Sequence, residues 1–327
     1  MSRPAAAAVT CVGGAVIDRK LYLLAPAVPG TSNPATSGHC FGGVARNVAE
    51  NLARLRVPVA LVTTVGDDPG GHALRAGLQA VGVATAGVRV VPGAQTAQYV
   101  AVLGPDRDLV IGVAAMDVLE AIGAADVEAA WPAAGGWLVL DTNPTAEVLA
   151  HAVGRARRDG VPVAVDAVST PKATRLPADL AGITVLFCNR EEARAWLAHH
   201  TGDGGGDDTV LARRLRAAGA AGVVLTRGAG GALVAGDDGV LEVPAAPSRP
   251  IDVTGAGDAV VAGTVAGLLH GEDLAAAARR GTVLAALTVA GPDSVRADLD
   301  PDLLAAAMAG TGPAGPPDHP PVIPPQA

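Results

Sequence analysis

Near the carboxyl end of the 327-residue sequence, Ile251-Asp-Val-Thr-Gly-Ala-Gly-Asp258 runs directly into the small, apolar stretch Ala259–His270. Gly255, Ala256 and Gly257 let the backbone turn sharply and aim several N–H groups at one point where a helix begins, which makes a site for an anion. Asp258 falls in the first turn of that helix. A bound phosphate repels a carboxylate beside it, so two tasks are open to Asp258: a catalytic one at that anion, or service to the helix N-terminus.

Four other segments carry polar groups at places where strands turn into helices. In Phe41-Gly-Gly-Val-Ala-Arg-Asn47, Gly42 and Gly43 allow a ligand close to the backbone, and Asn47 can point its amide back at it; the plainer reading is a tight turn with a solvated Arg46. Asn189-Arg-Glu-Glu192 places an amide and a carboxylate three apart on one helical face, where Asn189 and Glu192 either hold waters of a Mg²⁺ ion or form a capping box. Thr226-Arg-Gly-Ala-Gly-Gly231 can wrap a nucleotide phosphate through Thr226 and Gly228, although it lacks the Lys-Ser/Thr of a P-loop. Asp18, closing Gly13-Gly-Ala-Val-Ile-Asp18, can accept from two vicinal hydroxyls of a sugar or simply form a turn. His199 and His200 are helix neighbours that do not face together, so no metal site is expected there.

The elements that must position these groups follow from composition and patterning. Half of the residues are hydrophobic and 17% are charged, which excludes a disordered chain, and the 42 glycines show no three-residue period. With only 3 Trp, 2 Tyr and 2 Phe, the core must be built from Ala, Val and Leu. The net charge of −8 gives no footprint for nucleic acid, and no membrane partner is expected because no run of eighteen apolar residues occurs. Cys11, Cys40 and Cys188 have neither disulfide nor zinc spacing, and no signal peptide is recognisable, so a cytoplasmic protein is expected.

Short Val/Leu-rich runs at Ala8–Val12, Val59–Val65, Leu138–Asp141, Val161–Asp166, Ile183–Cys188 and Gly222–Thr226 alternate with helical stretches at Ala45–Leu55, Gly71–Ala80, Thr145–Arg157, Glu191–His199, Thr209–Ala218, Ala256–His270 and Leu274–Ala290. This predicts one α/β domain with a parallel sheet covered on both faces. Asp18–Leu24 with Thr36–Phe41, and Thr96–Leu103 with Leu109–Ala115, instead alternate with period two and predict a small antiparallel sheet able to act as a lid. The Pro/Gly-rich tail, 310–327, is expected to be unstructured.

Gly42-Gly-Val-Ala-Arg-Asn47 with its continuation through Val65-Gly-Asp67 and Gly70-Gly71, followed far downstream by Asp252-Val-Thr-Gly-Ala-Gly-Asp258, resembles the paired signatures of the ribokinase-like, or PfkB, carbohydrate and nucleoside kinases. The resemblance covers residues 9–306 and implies a three-layer sandwich with a mostly parallel sheet and a projecting β-lid. Thr31-Ser-Asn-Pro34, Met116-Asp117, Val165-Asp-Ala-Val-Ser169 with Lys172, and Asn189-Arg-Glu-Glu192 resemble the branch that acts on pseudouridine; other nucleosides, a free pentose, or binding without catalysis are the alternatives. It further implies that Asp258 is the base, that the N–H groups of Gly255, Ala256 and Gly257 receive the γ-phosphoryl group of ATP, and that Asp18, Gly42, Gly43 and Asn47 hold the ribose. The base would lie near Ser32, Asn33 and Tyr99, Lys172 would touch a phosphate, and Asp252, Thr254 and Ser294 would hold a potassium ion beside Mg²⁺ at Asn189 and Glu192. A homodimer joined at lid edges is implied as well.

Overall fold

The computed structural model describes residues 8–310. In chain order its strands are β1 (Val9–Val12), β2 (Val16–Leu23), β3 (Ala35–Gly42), β4 (Val59–Gly66), β5 (Val88–Val91), β6 (Gln98–Leu103), β7 (Leu109–Ala115), β8 (Trp137–Asp141), β9 (Val163–Asp166), β10 (Val185–Asn189), β11 (Val223–Thr226), β12 (Ala232–Gly236) and β13 (Gly239–Val243). The α-helices are α1 (Val44–Arg54), α2 (Pro69–Ala80), α3 (Ala124–Ala129), α4 (Ala146–Asp159), α5 (Thr170–Ala173), α6 (Arg190–Thr201), α7 (Asp208–Ala217), α8 (Ala256–Leu269), α9 (Leu274–Val289) and α10 (Pro301–Met308).

Nine strands form one sheet in the order β13-β12-β11-β10-β9-β8-β1-β4-β5. From β11 to β5 every pairing is parallel, while β12 and β13 run antiparallel at one edge. Successive side chains of a strand face opposite ways, so each buried strand feeds two cores. Cys11, Leu61, Val139, Phe187 and Val224 pack with α1, α2, α8 and α9, whereas Val12, Val62, Leu140, Leu186 and Leu225 pack with α4, α6 and α7. Small residues replace aromatics by close approach: a Cβ on Gly263 of α8 would lie 2.7 Å from Gly281 Cα of α9. The α/β expectation holds: a mostly parallel sheet is packed by helices on both faces, with a second, smaller sheet beside it.

The structure corrects the expectation in three places. The second sheet, β3-β2-β6-β7, is mixed, because β2 and β6 pair parallel while the two outer pairings are antiparallel. The β12–β13 hairpin, which turns at Asp237-Asp238, and the short β5 are additions to the expected strands, because neither fits the alternation of strand with helix. Helix α2 begins two residues early, at Pro69, because Asp68 caps it by accepting from Gly71 N at 2.7 Å and proline suits a first helical turn. Apart from Gly310, the tail lies outside the described residues. Among the described residues no helix is long and apolar enough to cross a membrane.

Candidate active site

The carboxyl ends of the parallel strands carry the polar residues. β8 ends in Asp141, β9 in Asp166, β10 in Asn189 and β11 in Thr226. Asp141 is the register partner of Asp166, and Asn189 that of Thr226, so these groups line up along one edge of the sheet. Crevices outside such strand ends are where open α/β sheets bind ligands.

Helix α8 points its N-terminus at this edge. Gly255 is its N-cap with φ 80°, and a Cβ there would lie 2.0 Å from Ser294 O. Only glycine fits. Asp258 is buried in the first turn and accepts a hydrogen bond from Asn47 Nδ2 at 2.6 Å, so the two glycine-rich segments meet across 211 positions of sequence. Gly255 occupies the cap, which leaves the Asp258 carboxylate outside that task. Burial pushes Asp258 up to about 7, with Asp141 and Asp18 adding to the rise and the Asn47 bond and Arg46 opposing it.

Asn47 is itself fixed. Its Oδ1 accepts from Arg46 Nη1 at 2.8 Å, which leaves Nδ2 to face Asp258. Arg46 also donates to Phe41 O at 2.8 Å and pairs with Glu50, which Arg54 holds from the other side at 2.7 Å. A solvated Arg46 is therefore corrected: the guanidinium is buried and orients the neighbouring amide. These charges share one face of α1 at i, i+4 spacing.

Asp18 leaves β2 beside the same glycines. A Cβ on Gly42 would lie 2.0 Å from Asp18 Oδ2, and one on Gly43, at φ 94°, would lie 2.5 Å from Gly14 O. Burial raises Asp18 to about 6, against the lowering influence of Lys20 and Arg46. Beneath the lid lies a cavity of about 510 Å³ lined by Asp18, Arg19, Tyr22, Tyr99, Arg107 and Thr254, among others. Ser32 and Asn33 do not line it; Asn33 spends its amide on Val28 N and O and on Thr31 O within its own loop.

On the other side of the α8 N-terminus, a largely apolar cavity of about 270 Å³ is lined by Thr226, Gly228, Ala256, Gly257, Val260 and Val289, among others. Thr226 and Gly257 also border a smaller one, of about 140 Å³, with Asp166, Asn189, Glu192 and Asp258. Asn189 and Glu192 do form the capping box, at 2.8 and 2.9 Å, yet both remain on the cavity wall. Burial raises Glu192, and burial together with the facing Asp258 and Glu192 carries Asp166 well above the carboxylate range. Three carboxylates on one small cavity call for a cation. Among the described residues no three acidic, histidine or cysteine side chains are grouped so as to hold a metal ion directly.

The potassium donor set fits less well. Both oxygens of Asp252 are engaged, Oδ1 by Thr254 and Oδ2 by the Lys20 ammonium. Burial raises Asp252, but the Lys20 and Thr254 bonds outweigh it and hold the carboxyl below its usual value. Ser294 Oγ is buried without a hydrogen-bond partner and is left open to a ligand. Lys172 also sits elsewhere than beside Thr226 and Gly228: Nζ donates to Asn143 Oδ1 at 2.5 Å and lies 3.5 Å from Met116 Sδ.

Asp141 and Asn143 carry no role in the sequence analysis, and Asp166 and Val168 enter it only inside the strand run Val161–Asp166 and the segment Val165–Ser169, with no role of their own. Asp141 accepts from Gly14 N at 2.7 Å, Asn143 N at 2.8 Å and Ala45 N at 3.0 Å, tying β1, β8 and α1 together. Val168, at φ 62°, is a β-branched residue in the left-handed region, a strain of about 1–3 kcal/mol placed on the wall of the carboxylate cavity. An acidic residue closing an apolar strand was the signal available for Asp141 and Asp166.

A model of the pfkB family of carbohydrate kinases matches residues 6–298. The chain belongs to that family. This PfkB chain is 31% identical over 278 residues to the pseudouridine kinase of Escherichia coli K12, covering 83% of the chain and 87% of the relative. It is 30% identical over 285 residues to the ATP-dependent ribose-1-phosphate kinase of Halopiger xanaduensis, covering 86% and 90%. It also matches bifunctional HldE proteins, of which it spans only 51% in Trichlorobacter lovleyi and 62% in Caulobacter vibrioides. Among solved structures, the PfkB chain resembles Arabidopsis thaliana ribokinase complexed with ribose and ATP, with TM-score 0.78 at 20% identity over 93% of the chain and 99% of the neighbour.

Proposed function

We propose that the protein is a pseudouridine kinase that transfers the γ-phosphoryl group of ATP to the 5′-hydroxyl. The observation that carries the kinase part is a buried Asp258 in the first turn of α8, bonded to Asn47 and lining the small carboxylate cavity, with Ala256 and Gly257 bordering the apolar cavity and Asp18 and Thr254 the lid cavity. The choice of pseudouridine is supported by the Escherichia coli relative and by Gly42-Gly-Val-Ala-Arg-Asn47.

In this reading Asp258 takes the proton of the 5′-hydroxyl as its oxygen attacks phosphorus and the bond to ADP breaks. The N–H groups of Gly255, Ala256 and Gly257 receive the charge that gathers on the transferred group. Asp18, Gly42, Gly43 and Asn47 hold the ribose, and the base lies under the lid beside Tyr99, with Ser32 and Asn33 framing the loop. Thr226 and Gly228 border the nucleotide. Lys172 acts one step removed, through Asn143. Asn189 and Glu192 would hold Mg²⁺ through water, and that ion supplies charge neutralisation on the phosphates.

The exposed Leu109, Val110, Ile111 and Val113 of edge strand β7 suit a second copy of the chain, so the reading includes a homodimer joined at the lids. Three free thiols suit a cytoplasmic setting. A second reading, an acceptor that already carries an anionic group, is favoured by Arg19 and Arg107 on the lid cavity and by the ribose-1-phosphate kinase relative.

ADP release measured with pseudouridine, uridine, cytidine, adenosine, ribose and ribose 1-phosphate separates these. Pseudouridine is expected to give the highest kcat/KM. A ribose 1-phosphate maximum selects the second reading, and equal values for uridine and pseudouridine refute the specific substrate.

A further inference from the structure

The turn that forms the anion site hangs on Asp252. Oδ1 of that carboxylate accepts from the Thr254 backbone N–H at 2.9 Å and from Thr254 Oγ at 2.6 Å. Oδ2 accepts from the Lys20 ammonium, which comes from lid strand β2, 232 positions earlier. The pair is largely shielded, with 19% and 24% of the two side chains exposed. One lid strand thus grips, through a single charge pair, the residue that orders Thr254 and leads into Gly255–Asp258.

Residue type matters here. Lys20 and Lys172 are the only lysines of the chain, and every other cationic side chain apart from histidine is Arg. An ammonium is a compact point charge with no preferred plane, whereas a guanidinium is a flat fork. Of the two, the ammonium imitates a monovalent metal ion. With Lys20 on Asp252 Oδ2 and Thr254 on Oδ1, an added cation at this carboxylate meets a like charge and finds its acceptors occupied.

We propose that Lys20 is the built-in cation of this site: it neutralises Asp252, fixes the Thr254–Gly257 turn against lid strand β2, and lets phosphoryl transfer run without potassium. Lys20 and Asp252 both border the lid cavity; the role proposed for Lys20 is exerted through Asp252, so it is a positioning residue. The proposal rests on the kinase reading above, but not on the identity of the acceptor.

The test compares the full chain in KCl and in choline chloride at equal ionic strength. ADP release is followed with the best acceptor of the panel, and melting temperature is recorded without nucleotide or acceptor. Wild-type rates and melting temperatures are expected to agree in the two salts. Lys20→Met is expected to lose about 10- to 100-fold in choline chloride and to recover in KCl, with a higher melting temperature in KCl. A wild-type rate that collapses without potassium overturns the proposal, as does a Lys20→Met enzyme with the same rate in both salts. The wild-type comparison needs no variant, so it decides even if Lys20→Met does not fold. The melting comparison needs no acceptor, so a wrong substrate leaves it intact.

Discussion

Asp258→Asn is expected to lower kcat by about 10²–10⁴-fold while leaving the acceptor KM nearly unchanged. The amide keeps the size of the carboxylate and can still accept the 2.6 Å bond from Asn47 Nδ2, so geometry survives and only proton acceptance is lost. The same substitution should not cost stability. A buried carboxyl raised to about 7 binds its proton more tightly folded than unfolded, so as pH rises from about 4 to about 7 the ionising group progressively destabilises the fold. Above that window Asp258→Asn removes the burdened charge, and the melting temperature is expected to hold or rise. Because Asp258 acts ionised, the wild-type kcat/KM should fall about tenfold per pH unit below pH 7 and level off above it. Initial rates of ADP release across pH, with calorimetry on both proteins, check this. Undiminished ADP release by Asp258→Asn would remove Asp258 from the chemistry.

Gly255→Ala should produce the second large loss, through geometry alone. The residue sits at φ 80°, which costs a non-glycine residue about 1–2 kcal/mol, and the added Cβ would lie 2.0 Å from Ser294 O. Backbone lies on both sides of that clash, so the turn must move. A displacement of about 1 Å in the groups that meet the transferred phosphoryl costs on the order of 10²-fold. The loss should appear in kcat with ATP saturating, while the acceptor pocket around Asp18 and Gly42 keeps its affinity, as isothermal titration with the acceptor would show. A Gly255→Ala enzyme with wild-type kcat would mean that the N–H groups of this turn do not serve the transition state.

Much of this was legible in sequence because the decisive signals were local. Asp252-Val-Thr-Gly-Ala-Gly-Asp258 announces a tight turn into a helix, and the β-strand runs of Val and Leu announce a parallel sheet. The residues that escaped notice act at long range. Asp141 reads as the last residue of a strand; only the folded chain brings Gly14, Ala45 and Asn143 to it. Arg46 reads as a solvated charge beside a turn, until α1 packs against α8 and leaves its guanidinium buried over Glu50 and Asn47. Lys20 carries no local signal of its partner, since alternation along β2 fixes the face of a residue but not what the lid faces. The parallel β2–β6 pairing was hidden for a related reason: hairpin patterns specify neighbours joined by turns, not strands brought together over a long excursion.

The most direct test of the central claim is the phosphorus NMR spectrum of the product formed from ATP and pseudouridine. A new phosphomonoester resonance split by the two 5′ protons is expected, appearing together with ADP and absent with Asp258→Asn. No new phosphomonoester, or one coupled to a single sugar proton, would contradict it.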